Sequence, residues 1–311
     1  MHRHPAAPAH PPRDEDHGHG LADDLPRLLA LAAPRRRVLS WLATVAGSAA
    51  LGGCGGGGSS DTVDTSTSTT TTGTSGSSGS GSSSTGTTTT TSGSCIADPQ
   101  ETAGPYPADG TNTASGSTSD VLTAAGIVRS DIRSSFLGST NIAQGVPVVL
   151  TLTLVDTNAS CAPLAGYAIY LWHCDRAGNY SLYTAASESY LRGVQVSDSA
   201  GQVTFTTIFP GCYAGRWPHI HFEVFASQAA ATTGRNAVLI SQLALPSAVC
   251  SAVYPAATGY SASVGNFAGV SLSGDNVFGD NTAAQLAAMT PSFSGSVSDG
   301  YTASATIGIA R

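Results

Sequence analysis

Lysine is absent from this 311-residue sequence, and all 13 basic residues are arginines. A chain without lysine cannot form a Schiff base with a carbonyl substrate, and it lacks the lysine of a phosphate-binding P-loop. Six arginines lie within the first 37 residues, so the chain after residue 53 has 7 arginines against 15 acids, a net charge of −8. That balance excludes the basic surface by which proteins bind nucleic acids or anionic membranes.

Histidine is also scarce where a folded domain is expected. Five of the eight histidines lie in the first 19 residues. His173, His219 and His221 are the remaining three, so any histidine chemistry depends on them.

Residues 1–54 have the pattern of an export signal. The apolar run after Arg35-Arg36-Arg37 has roughly 15 residues, fewer than the about 20 of a spanning helix, which favours a removable signal. The arginines resemble a twin-arginine signal; the alternative is the basic start of an ordinary signal. Leu51-Gly52-Gly53-Cys54 resembles a bacterial lipobox and predicts lipidation of Cys54, with plain cleavage nearby as the alternative. We expect export to the cell envelope, with a lipid anchor as the contact with the membrane, or otherwise a periplasmic or secreted protein.

Residues 55–94 are almost entirely Gly, Ser and Thr. Such a segment buries little apolar surface, so a disordered linker is predicted. Residues 95–311 then form the globular domain.

Short segments rich in β-branched and aromatic residues, separated by Gly, Pro, Asn and Asp, predict an all-β domain. One helix is predicted, over Thr282–Met289. The fold class is an antiparallel β-sandwich with long loops and little helix. The predicted strands are Val146–Val155, Tyr167–Trp172, Val194–Val196, Val203–Phe209, His219–Phe225, Val238–Leu245 and Thr302–Ile309.

An odd number of cysteines lies in this domain, namely Cys95, Cys161, Cys174, Cys212 and Cys250. Export permits disulfides. One bridge, or two bridges with a free thiol, fit the count, and the sequence does not choose the pairing.

Most of the candidate functional residues lie near the segment Pro218-His219-Ile220-His221-Phe222. On a strand, residues two apart share a face, so His219 and His221 project together while Ile220 and Phe222 enter the core. Two imidazoles at this spacing suit adjacent positions on a metal ion; the alternative is a pair of structural histidines.

Two tyrosines follow turns in the same region. Tyr213 ends Pro210-Gly211-Cys212-Tyr213, and Tyr180 ends a turn after Trp172-His173-Cys174-Asp175. A phenol, with a pKa of about 10, binds a metal well only when it is deprotonated. A hard trivalent cation offsets that cost, so two tyrosines with two histidines favour non-haem Fe(III) over Zn(II).

This set of motifs resembles the intradiol ring-cleavage dioxygenases, the family of protocatechuate 3,4-dioxygenase and catechol 1,2-dioxygenase. Thr102-Ala103-Gly104-Pro105-Tyr106 is similar to the family's Thr-x-Gly-Pro-Tyr motif. The segments Arg129–Arg133, Cys161–Leu164 and Trp172–Asp175 are similar to its exported single-domain branch. The resemblance covers about residues 95–310.

The resemblance implies specific roles. Tyr180 and His219 would be ferric ligands that remain bound, Tyr213 and His221 the axial pair, and Tyr213 the ligand that the substrate displaces. Arg216 would stabilise negative charge on the substrate, with Gln242 beside it. The implied reaction opens a catechol-type ring between its hydroxyl-bearing carbons with O2 and gives a muconate-type diacid.

Several residues and functions compete with this prediction. For His173 we expect a structural role. We expect Glu223 to lie next to the site without binding the metal, and Cys212 to be a packed thiol or part of a disulfide. An exported, non-catalytic β-sandwich binding module is the main alternative. A zinc hydrolase is disfavoured because the His-x-His strand has no third histidine in reach. The sequence indicates neither the particular diol nor the oligomeric state.

Overall fold

The segments with alternating apolar residues fold as strands of two packed sheets, and a separate hairpin of the first two strands forms a small third sheet. The computed structural model describes residues 95–311. The predicted export signal with Cys54 and the predicted linker 55–94 lie outside the described residues. In chain order the strands are β1 (Asp109–Ala114), β2 (Ser117–Asp120), β3 (Pro147–Asp156), β4 (Ala162–Pro163), β5 (Ala168–Trp172), β6 (Arg192–Val196), β7 (Gln202–Ile208), β8 (His219–Phe225), β9 (Leu239–Ala244), β10 (Ser292–Ser296) and β11 (Gly300–Ile309).

The first sheet has the order β10-β11-β3, with β7 and the short β4 along the other edge of β3. The prediction of antiparallel sheets is incomplete here, because β11 runs parallel to β3, with Tyr301 opposite Val148 and Ile309 opposite Asp156. Periodicity within a strand does not encode the direction of its neighbour, so the sequence could not show this pairing.

The second sheet carries the candidate site and is antiparallel, in the order β6-β5-β8-β9. Strand β8 lies inside the sheet, so both of its edges are hydrogen-bonded. Its register places His221 between Trp172 on β5 and Gln242 on β9. The alternation along β8 turns Ile220 and Phe222 into the core between the sheets, as predicted.

Both faces of the second sheet are buried. Its inner face packs on the first sheet, where Leu150, Leu152 and Phe205 are fully buried. A second cluster covers the opposite face, and it contains Tyr170, Trp172 and Tyr180. Every residue of β8 is buried, including the polar residues on its outer face. A polar group on its outer face is therefore removed from bulk water.

Three α-helices are described: α1 (Ser247–Ala256), α2 (Ser261–Ala268) and α3 (Ala283–Ala288). The predicted helix is confirmed as α3, which begins at a capping box of Thr282 and Gln285. The sequence analysis missed α1 and α2. Internal Pro255 in α1 and Gly265 in α2 are poor helix formers and weaken the local signal.

Cys95 and Cys161 form a disulfide, while Cys174, Cys212 and Cys250 are buried free thiols. The structure therefore has the single bridge that the sequence left as one option. None of the helices described between residues 95 and 311 has the length and hydrophobicity of a membrane-spanning segment.

Candidate metal and substrate site

Two turns and one strand bring the four predicted ligands together. His219 and His221 come from β8, Tyr180 from the long loop after β5, and Tyr213 from the turn between β7 and β8. The turn before Tyr180 lies close to Tyr213. Gly178, at φ +90°, permits this approach, because a Cβ atom added to it would lie only 3.1 Å from the Cβ of Tyr213. A larger residue at position 178 would be strained and would separate the turns.

The four side chains converge around Nε2 of His219. This atom lies 3.1 Å from the Tyr213 hydroxyl, 3.1 Å from Nε2 of His221 and 3.5 Å from the Tyr180 hydroxyl. Nδ1 of His219 faces the carbonyl oxygen of Trp217, which can only accept, so Nδ1 carries the proton and Nε2 presents a lone pair.

This arrangement fits a bound cation. One lone pair on Nε2 cannot accept hydrogen bonds from three groups, whereas a cation between them would be bound by all four side chains. Nitrogen ligands about 2.1 Å from a metal and at right angles to each other lie about 3.0 Å apart, close to the separations measured here. Tyr180, Tyr213, His219 and His221 would hold such an ion.

Burial keeps these four groups neutral in the metal-free protein. It lowers the pKa of His219 to about 3, with Arg216 adding to the effect, and it lowers the pKa of His221 well below its ordinary value. Burial likewise raises the pKa of Tyr213 to about 12 and that of Tyr180 well above its ordinary value. The neutral imidazoles can bind a metal directly, whereas the phenols would lose their protons only when a strong Lewis acid binds the phenolate oxygens.

Aromatic packing and backbone hold the ring of His221. It stacks on the indole of Trp172, with ring centroids 4.8 Å apart and 6° between the planes. Gly104, at φ +71°, also approaches the ring, and a Cβ at this position would lie 3.2 Å from Cε1 of His221. His221 Nδ1 has no hydrogen-bond partner among the described residues, so these contacts fix the ring orientation.

Arg216 lies beside the tyrosines in a network of charged hydrogen bonds. Its guanidinium contacts both carboxylate oxygens of Asp275, at 2.9 and 3.2 Å, and donates to Oε1 of Gln242 at 2.8 Å. Gln242 in turn donates to the carbonyl oxygen of Thr102 at 2.9 Å. Burial opposes the charge of Arg216, but Tyr213 and Asp275 raise its pKa above the ordinary value.

The sequence analysis missed Asp275. Besides binding Arg216, its carboxylate accepts hydrogen bonds from the backbone N–H of Trp217, Val277 and Phe278. Burial opposes its charge, but Arg216 lowers the pKa of Asp275 below its ordinary value. No sequence signal marks this residue, because it lies 59 positions after Arg216 and sits in an ordinary-looking Ser-Gly-Asp-Asn turn.

The discounted residues have protein partners or lie away from the cluster. His173 contacts the carbonyl oxygen of Cys174 and the hydroxyl of Thr207, both at 2.7 Å, so neither ring nitrogen is open to a metal. Glu223 is fully buried next to Asp109, and burial raises its pKa well above the ordinary value. Cys212 is a buried free thiol. Among residues 95–311, no group of three or more His, Cys, Asp and Glu side chains forms a metal site, so a centre here requires the tyrosines.

A family model described as "Dioxygenase" (Dioxygenase_C) matches residues 134–243. The matched segment contains all four predicted ligands, Arg216 and Gln242. No curated protein matches the chain.

Solved structures share the fold. The chain is similar to an intradiol ring-cleavage dioxygenase from Tetranychus urticae, at 24% identity and a TM-score of 0.51, over 70% of this chain and 95% of that one. A second dioxygenase crystal structure matches at 23% identity and a TM-score of 0.53, with the same coverage. Catechol 1,2-dioxygenase from Acinetobacter sp. ADP1 is more distant, at 14% identity and a TM-score of 0.40, over 69% and 63% of the two chains.

Residues 134–243 are therefore similar to a dioxygenase family, and the domain has the β-sandwich fold of the solved structures that it matches. The resemblance to the intradiol ring-cleavage dioxygenase family that the motifs predict is confirmed by the family model and the fold.

Proposed function

We propose that this protein is a non-haem Fe(III) dioxygenase that cleaves a catechol-type ring between its two hydroxyl-bearing carbons. One O2 molecule adds to the diol, both oxygen atoms enter the product, and a muconate-type diacid results. The observation that carries the proposal is the convergence of two phenols and two imidazoles on Nε2 of His219. When bound, ferric iron would supply a Lewis acid that stabilises the phenolates and can be chelated by the two oxygens of the diol.

The two tyrosines have different exposures, which supports different roles. Tyr180 is 1% exposed and lies in the aromatic cluster, whereas Tyr213 is half-buried on a turn followed by the exposed Ala214 and Gly215. We assign Tyr213 as the group that moves when the diol arrives. Once displaced, its phenolate oxygen would accept a proton from the diol.

Arg216 supplies a fixed positive charge beside these groups. Asp275 and Gln242 hold its guanidinium in one orientation, and its raised pKa keeps it charged throughout the working pH range. A preorganised cation costs no reorganisation when negative charge develops on the ring. Gln242 is a positioning residue in this scheme, because it links Arg216 to the backbone of Thr102.

A visible absorption spectrum of the iron-loaded protein, recorded before and after anaerobic addition of catechol, tests the proposal. We expect a broad phenolate-to-ferric band that shifts when the diol binds. Tyr180→Phe and His221→Ala should lose iron, whereas His173→Asn, at a histidine bonded elsewhere, should keep it. A colourless, folded protein that ignores catechol would favour the non-catalytic binding module instead.

We also propose that the chain is exported and anchored through a lipid on Cys54. The Arg35–Arg37 cluster and the Leu51-Gly52-Gly53-Cys54 motif support this location. Cys54→Ala should release the protein from the membrane fraction and abolish incorporation of labelled fatty acid. An unlabelled wild-type protein would instead support secretion without an anchor.

A further inference from the structure

Arg192, the first residue of β6, is a buried cation whose neighbours are neutral. It is 1% exposed, and no carboxylate within residues 95–311 lies at ion-pair distance from it. Its Nε donates to Oγ of Ser181 at 2.9 Å, Nη1 to Pro107 O at 2.9 Å and Tyr170 Oη at 3.0 Å, and Nη2 to Tyr106 O at 2.9 Å and Ser181 O at 2.8 Å. All five N–H donors of the guanidinium are used.

These acceptors belong to two segments that meet at the candidate site. Ser181 directly follows Tyr180, so two of the five bonds fix the backbone and side chain next to a predicted ligand. Tyr106 and Pro107 belong to the segment that passes over that ligand, and the ring of Tyr106 lies 4.9 Å from the ring of Tyr180. Arg192 therefore joins the loop that carries Tyr180 to the segment that covers it.

The contact of Arg192 with Tyr170 connects it to His221 through two stacked rings. The phenol of Tyr170 stacks on Trp172, with centroids 4.9 Å apart, and Trp172 stacks on His221. Tyr170 also donates from its hydroxyl to Pro107 O at 2.8 Å. The guanidinium is thus one residue away from Tyr180 on one side and two stacked rings away from His221 on the other.

We propose that Arg192 is a positioning residue that holds Tyr180 at the metal-binding distance from His219. This inference rests on the proposed ferric function. The planar guanidinium is needed because it directs five donors in fixed directions, whereas a lysine offers three. Arg192→Lys keeps the positive charge but leaves at least two of the five contacts unmade, so this variant separates geometry from charge.

Arg129 provides a matched control. It is half-buried, and its guanidinium also donates to backbone carbonyls, including those of Arg192, Ser134 and Ile132. None of its acceptors adjoins a predicted ligand. Two of its bonds end on the main-chain oxygen of Arg192, so Arg129→Lys tests the general effect of losing a half-buried guanidinium that holds the backbone of β6, while the side chain of Arg192 stays unchanged.

The experiment compares full-length wild type, Arg192→Lys and Arg129→Lys after loading with ferric iron. Iron retained against a chelator, the phenolate-to-ferric band and the thermal midpoint of the metal-free protein are measured. We expect Arg192→Lys to fold, to retain iron roughly 10–100-fold less tightly, as is typical when an outer partner of a ligand is removed, and to show a shifted or weakened band. Arg129→Lys should match wild type in both iron readouts.

Several results would overturn the inference. A folded Arg192→Lys with wild-type iron retention and a wild-type band would do so, as would an equal loss in Arg129→Lys. If Arg192→Lys does not fold, Ser181→Ala decides the question: it removes the contact to Nε of Arg192, together with the hydrogen bond from the Ser181 hydroxyl to Tyr190 O, and leaves the other four contacts of the guanidinium in place. A shifted band supports the inference and an unchanged band overturns it. A wild-type protein without any ferric band would instead refute the proposed function, and this inference with it.

Discussion

The imidazole of His221 lies parallel to the indole of Trp172, at a centroid separation of 4.8 Å and an angle of 6°. The two residues are directly opposite each other on antiparallel strands β8 and β5, so the sheet itself sets their contact. Because Nδ1 of His221 has no hydrogen-bond partner among the described residues, the stack takes the place of the usual outer hydrogen bond to a metal-binding histidine.

Trp172→Ala should therefore weaken both the fold and iron binding. The side chain is fully buried, and removing a large aromatic ring from a core typically costs about 3–5 kcal/mol. Denaturant unfolding and the iron-to-protein ratio would measure the two effects. Trp172→Phe keeps a flat ring against His221 and should retain most of the iron; complete loss in this variant would show that stacking is not what orients the histidine.

Asp275→Asn should reduce turnover more than substrate binding. The change removes the charge opposite Arg216 and leaves a buried guanidinium without its ionic partner, which costs about 3–5 kcal/mol in buried pairs. A displaced Arg216 would lower kcat by about 10²–10³-fold, the effect of removing one preorganised electrostatic group. Steady-state kinetics with catechol would measure it.

A double variant tests the energetic coupling between Arg216 and Asp275. The double variant Arg216→Gln/Asp275→Asn should lose less unfolding free energy than the sum of the losses in the two single variants, because it leaves neither charge buried without its partner. Additive unfolding free energies would show that the two residues act independently.

Charge on the substrate should matter because the described site offers no second cation to a ring carboxylate: Arg216, already paired with Asp275, is assigned to the charge that develops at the diol. Arg216 is bound by Asp275 and Gln242, all donors of Arg192 are used, and the chain has no lysine. We expect kcat/KM for catechol to exceed that for 3,4-dihydroxybenzoate by at least about tenfold. With 4-methylcatechol as the neutral control, activity should stay close to that with catechol. Equal values for the carboxylate and methyl compounds would contradict this prediction.

The stability of the metal-free protein should fall in acid because of its buried histidines. Burial lowers the pKa of His173 to about 4, whereas an unfolded histidine titrates near 6.5. Between these values the unfolded state binds a proton that the folded state does not, so the free energy of unfolding decreases as pH falls from about 6.5 to about 4. One such histidine contributes at most about 1.4 kcal/mol per pH unit.

The variant His173→Asn isolates this contribution. Asp98 has a pKa raised to about 7 by burial and acts with the opposite sign, so the comparison with wild type is more informative than the absolute slope. The difference in unfolding free energy between the two proteins should change across pH 6.5 to 4. Parallel curves would show that His173 does not titrate in this way.

Much of the site could be predicted because it depends on local spacing. The alternation of β8 places His219 and His221 on one face, and turns rich in Gly and Pro end at Tyr180 and Tyr213. Asp275 and Arg192 could not be found in this way. Their contacts depend on where distant loops meet, and an isolated Asp in a turn or an Arg on a strand has no distinctive pattern.

The same distinction applies to the fold. Strands with clear period-two patterns, such as β3 and β7, were predicted nearly to their ends. Strand order was not, because the parallel partnership of β3 with β11 depends on packing across about 150 residues of chain. Helices α1 and α2 were hidden by Pro255 and Gly265, whose unfavourable helix propensity is overcome by tertiary contacts such as the burial of Cys250, Val253 and Tyr254.

The position of β11 has a consequence for biosynthesis. Strand β11 lies between β10 and β3 rather than at an edge, so the first sheet cannot close until residues 300–309 have left the ribosome. Until then β3 exposes an unpaired edge of apolar residues, which is prone to aggregation. A truncation before Gly300 would lock the chain in that incomplete state.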